Sequence, residues 1–249
     1  MTITAEATPI RKRFRAMRLL TPALSLLPLR LETLLRLSGS DKEYPDADRG
    51  HHYGAAYQRH FGPLKYRRVK LLEIGVGGFA DLAGGESLAA WSCYFPFGEV
   101  VGCDIEDKRH LTGGRIRVHQ IDQSCADDLD RIAIEEGPFD IVIDDGSHVN
   151  AHQILTFERL FPHVKAGGIY VVEDVLTSYS SGFGGKPVNE QDRATCMGLF
   201  TELALYLNHR EFLPEEGGDP EMLRMAEEIA SIYFEHNLII LRKARGSPS

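Results

Sequence analysis

From Val69 onward the sequence breaks into short apolar runs, "VKLLEIGVG", "EVVGCDI", "IRVHQID", "FDIVIDDG", "GGIYVVEDV" and "LIILRKA", and this recurrence constrains the fold more than any other feature. Continuous apolar runs of about 4–8 residues read as strands buried on both faces, as happens where helices cover a parallel sheet. Helical candidates lie between them: "GESLAAWSCYF", "CADDLDRIAIEE" and "NAHQILTFERLFPHV". Strands alternating with helices predict a doubly wound α/β sheet. Two later stretches, "ATCMGLFTELALYLN" and "PEMLRMAEEIASIYFEHN", carry apolar residues at helical spacing and are expected as core or dimer-surface helices.

A chain of 249 residues with 43% hydrophobic content can bury a substantial core, so one main domain is expected over 63–249, preceded by a helical arm and cap over 1–62. Pro22 and Pro28 should break the arm into short pieces. Its basic cluster precedes only "LLTPALSLLPL", too short to span a bilayer, so packing or dimerisation is expected and stable membrane insertion is not. The net charge of −8 disfavours a nucleic-acid partner, because phosphate binding calls for a basic surface. Cys93, Cys103, Cys125 and Cys196 show no CxxC spacing and read as free thiols in a reducing cytoplasm.

In "LLEIGVGG" a strand tips into Gly75, Gly77 and Gly78, and a helix is expected only after Gly84 and Gly85. This departs from the G-x-G-x-x-G spacing of a dinucleotide fold, and no phosphate-cradling G-x-x-x-x-G-K-S/T occurs. A glycine turn alone also has a purely steric explanation.

The strand ends carry more information. Glu73, Asp104, Asp122, the pair Asp144 and Asp145, and the pair Glu173 and Asp174 close five successive runs. Ligands of open α/β sheets bind outside the carboxyl ends of strands, so these residues predict an acidic rim that is a site. Asp104 is placed to accept from ribose hydroxyls, and Asp122, Gln123 and Ser124 to recognise an adenine amine. With no evident compensating arginine or lysine, the rim calls for a cationic ligand or a metal.

These residues resemble class I S-adenosylmethionine-dependent methyltransferases: "EIGVGG" for the glycine turn, Asp104 for the ribose and "IDQS" for the adenine. More narrowly, "FDIVIDDGSHVNAHQ", "GGIYVVEDVLTSY" and "SGFGG" are similar to the magnesium-dependent O-methyltransferases that act on deoxysugars of macrolides. The resemblance covers roughly residues 38–186 and is most specific at "DDGSH" and "VED". It implies a Rossmann-like, mostly parallel seven-stranded sheet with helices on both faces and an N-terminal helical appendage.

The resemblance further implies that Asp145, Glu173 and Asp174 bind Mg2+ and that His148 is the general base. It places Glu73, Gly75, Gly77, Asp104 and Asp122 at S-adenosylmethionine positions, with Gln123, Ser124 and Asp144 at the adjoining strand ends. The residue types agree: strands ending at Asp145 and Glu173, if sheet neighbours, lie about 4.8 Å apart, so three carboxylates can meet one hard cation. Tyr53 on the N-terminal segment, and Tyr179 and Phe183 on a glycine-rich lid over 177–193, are expected to face the acceptor. The implied reaction is methyl transfer to a hydroxyl of a small sugar or glycoside, either a natural-product deoxysugar or a mannoside precursor of methylmannose polysaccharide. A catechol or phenol acceptor and a non-catalytic cofactor-binding scaffold are the alternatives, and a homodimer is expected.

Overall fold

The computed structural model describes residues 17, 19–25, 27–43, 51–78, 84–211 and 218–246. Its contacts divide it into two compact units, Met1–Ile121 and Asp122–Ser249. Together the units carry seven strands, and the fold class is the mostly parallel, mixed α/β class expected from the alternating runs.

In the first unit β1 (Lys70–Ile74), β2 (Glu99–Asp104) and β3 (Ile116–Gln120) pair in the order β3-β2-β1, all parallel. Glu73 stands opposite Gly102, and Asp104 opposite Gln120, so the acidic ends of β1 and β2 fall at the same edge. Helices α1 (Leu31–Ser38), α2 (Gly54–Phe61) and α3 (Glu86–Tyr94) belong to this unit. Every residue of α3 from Ser87 to Tyr94 is buried, as its continuous apolarity requires. Trp91 anchors an aromatic cluster, with Tyr57 edge-on at 5.3 Å and Phe61 at 5.9 Å between ring centroids.

Residues 1–16 of the expected arm lie outside the described residues. Pro22 sits within the helical stretch 19–24 and does not end it, whereas Pro28 falls in the link before α1 as expected. Thr21 Oγ1 donates to the Met17 carbonyl at 3.0 Å, a side-chain bond that supports the turn around the proline.

The second unit contains α4 (Ala126–Glu136), β4 (Phe139–Asp144), α5 (Asn150–Leu160), β5 (Val164–Glu173), α6 (Cys196–Leu205), α7 (Pro220–Glu227), β6 (Ile229–Glu235) and β7 (Leu238–Lys243). Its strand order is β4-β5-β7-β6, with β4 parallel to β5 and β7 antiparallel to both its neighbours. Asp144 pairs with Val172, so the acidic ends of β4 and β5 are adjacent. Phe157, Phe161, Tyr170 and Phe200 pack the core beside them.

The second of the two expected late helices is shorter than its apolar spacing suggests. The stretch "PEMLRMAEEIASIYFEHN" is not one helix: α7 stops at Glu227, and Ile229–Glu235 is strand. Asp219 caps α7 by accepting from the Glu221 N–H at 2.8 Å, with Pro220 in the first turn. Beyond it, β-branched and aromatic residues pair along β7, itself held against β5, and this ladder overrides the local helical spacing.

Candidate active site

The first unit supplies the glycine turn. Gly75, Gly77 and Gly78 have φ of 81°, 69° and 76°, a region closed to most side chains. A Cβ on Gly84 would lie 2.1 Å from the Gly77 carbonyl oxygen, so the two halves of the turn close only because that residue is glycine. Gly85 donates to the Val76 carbonyl at 2.7 Å, and α3 begins at Glu86, as expected. Residues 79–83 lie outside the described residues.

Asp104, at the end of β2, accepts from Val76 N–H at 3.1 Å and from Glu106 N–H at 2.9 Å. Its carboxylate therefore shapes the glycine turn directly. Glu73 is fully buried, accepting from Ser87 Oγ at 2.7 Å and Trp91 Nε1 at 3.1 Å. Lys42 Nζ, also buried, lies 3.2 Å from its other oxygen. Glu73 thus joins the arm, β1 and α3 beneath the turn.

Two lysines revise the expectation of an acidic rim without compensating cations. Lys42 neutralises Glu73, and Lys108 donates to the Gly78 carbonyl at 2.5 Å while pairing with Glu106 at 2.8 Å. Sequence reasoning missed both, since nothing local ties Lys42 to Glu73 on β1. Tyr53 is buried at 2% exposure, stacked on His51 at 4.5 Å between centroids, so its ring is packed inside the first unit.

In the second unit, Asp122 accepts from Ser124 N–H at 2.8 Å and Ser124 Oγ at 2.6 Å, which hold its carboxyl below the usual range. Gln123 is buried. Its Nε2 donates to Asp144 Oδ1 at 2.7 Å and Thr156 Oγ1 at 2.9 Å, and its Oε1 accepts from Ser147 N–H at 2.8 Å. The amide expected at the adenine is therefore committed within the unit, clamping the "DDGSH" loop. Asp144 is fully buried, and burial pushes its carboxyl up to about 7. It supports Gln123 from below, while Asp145 beside it stays partly exposed.

The next residues converge. Asp145, His148 and Asp174 offer ligand atoms within 4.8 Å of one another, and carboxylate oxygens of Asp145 and Glu173 approach within the same distance. His148 Nε2 lies 3.5 Å from Asp174 Oδ2, and Nδ1 is buried with no hydrogen-bond partner among the described residues. Three carboxylates of hard oxygen, on the ends of adjacent parallel strands, fit a magnesium-like cation by donor chemistry.

The expected lid segment after β5 contains a series of hydrogen-bonded 3-10 turns, Val175–Tyr179, Ser181–Phe183 and Val188–Glu190. Asn150, at the start of α5, donates to the carbonyls of Thr177 at 3.1 Å and Phe183 at 3.0 Å. It accepts in turn from Ser178 Oγ and Cys196 N–H. On this frame Leu176, Tyr179, Phe183 and Val188 stay exposed. Asn150 followed directly on "DDGSHV", but its role depends on partners 27 to 46 residues away.

No family model matches the chain. It is 43% identical over 196 residues to mycinamicin VI 2''-O-methyltransferase of Micromonospora griseorubida, covering 78% of this chain and 49% of that protein. It is 42% identical over 198 residues to the 8-demethyl-8-alpha-L-rhamnosyl tetracenomycin-C 2'-O-methyltransferase of Streptomyces olivaceus, covering 79% of this chain and 51% of that one. The chain thus spans about half the length of the curated relatives it matches. The solved MycE methyltransferase of the mycinamycin pathway, in complex with Mg and SAH, superposes with a TM-score of 0.80 at 39% identity, covering 89% of this chain and 56% of that one. A second structure of that enzyme, with Mg, SAH and mycinamycin VI, gives a TM-score of 0.78 at 38% identity over the same shares. Among the described residues, no helix is long and apolar enough to cross a membrane.

Proposed function

We propose, for a chain that belongs to the magnesium- and S-adenosylmethionine-dependent family of sugar O-methyltransferases acting on glycosylated natural products, methyl transfer to a hydroxyl of a deoxysugar or rhamnosyl glycoside. The observation that carries this reading is the convergence of Asp145, His148 and Asp174 within 4.8 Å, on strand ends where Glu173 adds a further carboxylate. In this reading residues 1–62 serve as the arm and 63–249 as the catalytic domain.

The glycine turn, held by Asp104 and braced from below by Glu73, leaves backbone free for close approach of the cofactor's amino-acid end. Asp122 and Ser124 stand at the next strand end for its adenosine. Held by Asp145, Glu173 and Asp174, a magnesium ion would supply Lewis acidity that eases loss of the acceptor's proton. His148 takes that proton at Nε2, the ring nitrogen facing the carboxylates, because Nδ1 is buried. Asp174 then offsets the positive charge that the imidazole acquires. Tyr179 and Phe183 offer rings to the apolar face of the sugar, and holding two substrates in line contributes much of the acceleration. The free cysteines among the described residues accord with a cytoplasmic enzyme, and we assign it a homodimeric state.

Incubation with methyl-labelled cofactor and panels of rhamnosyl and deoxysugar glycosides, mannosides and catechols tests the reading. Label in a natural-product glycoside supports it. Label confined to catechols or mannosides would replace the acceptor class, and no transfer to any hydroxyl would leave a binding scaffold.

A further inference from the structure

Three non-glycine residues among those described have left-handed backbone, His148 at φ 57°, Asp174 at 55° and Asn237 at 61°. Such angles are uncommon outside glycine, and their clustering at one place points to a local task. The first two face each other across 3.5 Å. The third lies in the tight turn between β6 and β7, remote in sequence from both.

Asn237 reaches the same carboxylate from its other side. Its Nδ2 donates to Asp174 Oδ1 at 2.8 Å, leaving Oδ2 turned toward His148. Its Oδ1 accepts from Leu176 N–H at 2.8 Å, and its carbonyl accepts from Val175 N–H at 3.4 Å. One side chain and its own backbone therefore hold three consecutive residues, 174 to 176. These include one expected metal ligand and the start of the segment bearing Tyr179 and Phe183.

We propose that Asn237 is a positioning residue for the metal site: its amide fixes the rotation of the Asp174 carboxylate, so that Oδ2 is presented to the cation and to His148. The proposal rests on the metal-dependent reading above. A tight turn by itself asks only for a residue that tolerates positive φ, which asparagine and glycine both do. The turn does not ask for an amide that donates to a carboxylate 63 positions earlier while accepting from the backbone two residues beyond it. Outer partners of metal ligands act in this way, orienting the ligand and so tuning affinity for the ion.

Asn237→Gly separates the two roles, because glycine keeps the turn and removes only the amide. Mn2+ serves as the probe, read by the loss of its free-ion paramagnetic signal, with SAH binding followed by calorimetry. The expected result is Mn2+ affinity weakened by roughly 10-fold or more, with SAH affinity and far-UV spectrum unchanged. Parent-like Mn2+ affinity in a folded variant would overturn the proposal and leave the methyl-transfer reading intact. A parent protein that binds no Mn2+ would overturn both. If the variant does not fold, the 15N-labelled parent carries the test: the Asn237 side-chain amide signal should move on Mg2+ addition. A signal that stays fixed while the Asp145 and Asp174 backbone amides shift overturns the proposal.

Discussion

His148 Nε2 lies 3.5 Å from Asp174 Oδ2, and both residues hold left-handed backbone angles. The imidazole and the carboxylate thus meet where the backbone turns left-handed at both residues, in the loops that follow β4 and β5. His148→Asn tests the pair with little backbone penalty, since asparagine tolerates positive φ. Turnover should fall by about 10²–10⁴ with SAH affinity retained, the range expected on losing a general base. Near-parent turnover in steady-state assays would remove His148 from the mechanism.

Chelation addresses the carboxylates. EDTA should abolish methyl transfer and added Mg2+ should restore it, while calorimetric SAH binding persists, because Asp104, which holds the glycine turn, is not one of the clustered carboxylates. Asp174→Asn should raise the Mg2+ concentration needed for half-activation. Full activity in metal-free buffer would sink the metal reading.

The buried pair Lys42–Glu73 predicts a double-mutant cycle. Lys42→Met removes the cation beside a buried carboxylate that Ser87 and Trp91 hydrogen-bond, and should cost about 3–5 kcal/mol in urea unfolding. Lys42→Met combined with Glu73→Gln should recover part of that loss, because no unpaired charge remains. Additive losses in the cycle would show that the two side chains do not depend on each other.

Gln123→Ala deprives Asp144 of its amide donor and Ser147 N–H of its acceptor. A destabilisation of about 1–3 kcal/mol for each stranded group is expected. Hydrogen exchange at the Ser147 amide should accelerate more than exchange in β4. Unchanged exchange there would show that the loop is held by other contacts.

Thiol chemistry tests burial. Burial pushes the thiols of Cys93 and Cys196 above their ordinary range, whereas Cys125 is exposed. A raised thiol pKa keeps the unreactive protonated form through neutral pH, and the thiolate appears only at higher pH or on unfolding. At neutral pH a thiol reagent should therefore modify Cys125 alone in the native protein, with the other cysteines following in denaturant. Rapid native labelling at Cys93 or Cys196, mapped by mass spectrometry, would contradict the packing.

The acid-ended apolar runs and the helices between them were legible because both depend on local periodicity. A strand buried on two faces needs continuous apolar residues, and a ligand at its carboxyl end needs a polar one next. The delayed start of α3 was legible for a similar reason, since Gly84 and Gly85 mark a turn that other residues cannot make. Sequence alone thus determined the α/β class, the glycine turn and the chemical types at the strand ends.

Only the tertiary structure decided which of those side chains face outward. Asp144 and Asp145 are neighbours in sequence, yet one is sealed under Gln123 and the other joins His148 and Asp174. Folding also converted the end of an apparent helix into β6, and so brought Asn237 to Asp174. Lys42 under Glu73 and Asn150 across the turns after β5 arose in the same way. Most of these contacts join residues tens of positions apart, through one to a few hydrogen bonds or ion pairs. Such pairs impose no periodicity on the chain, so no local pattern records them.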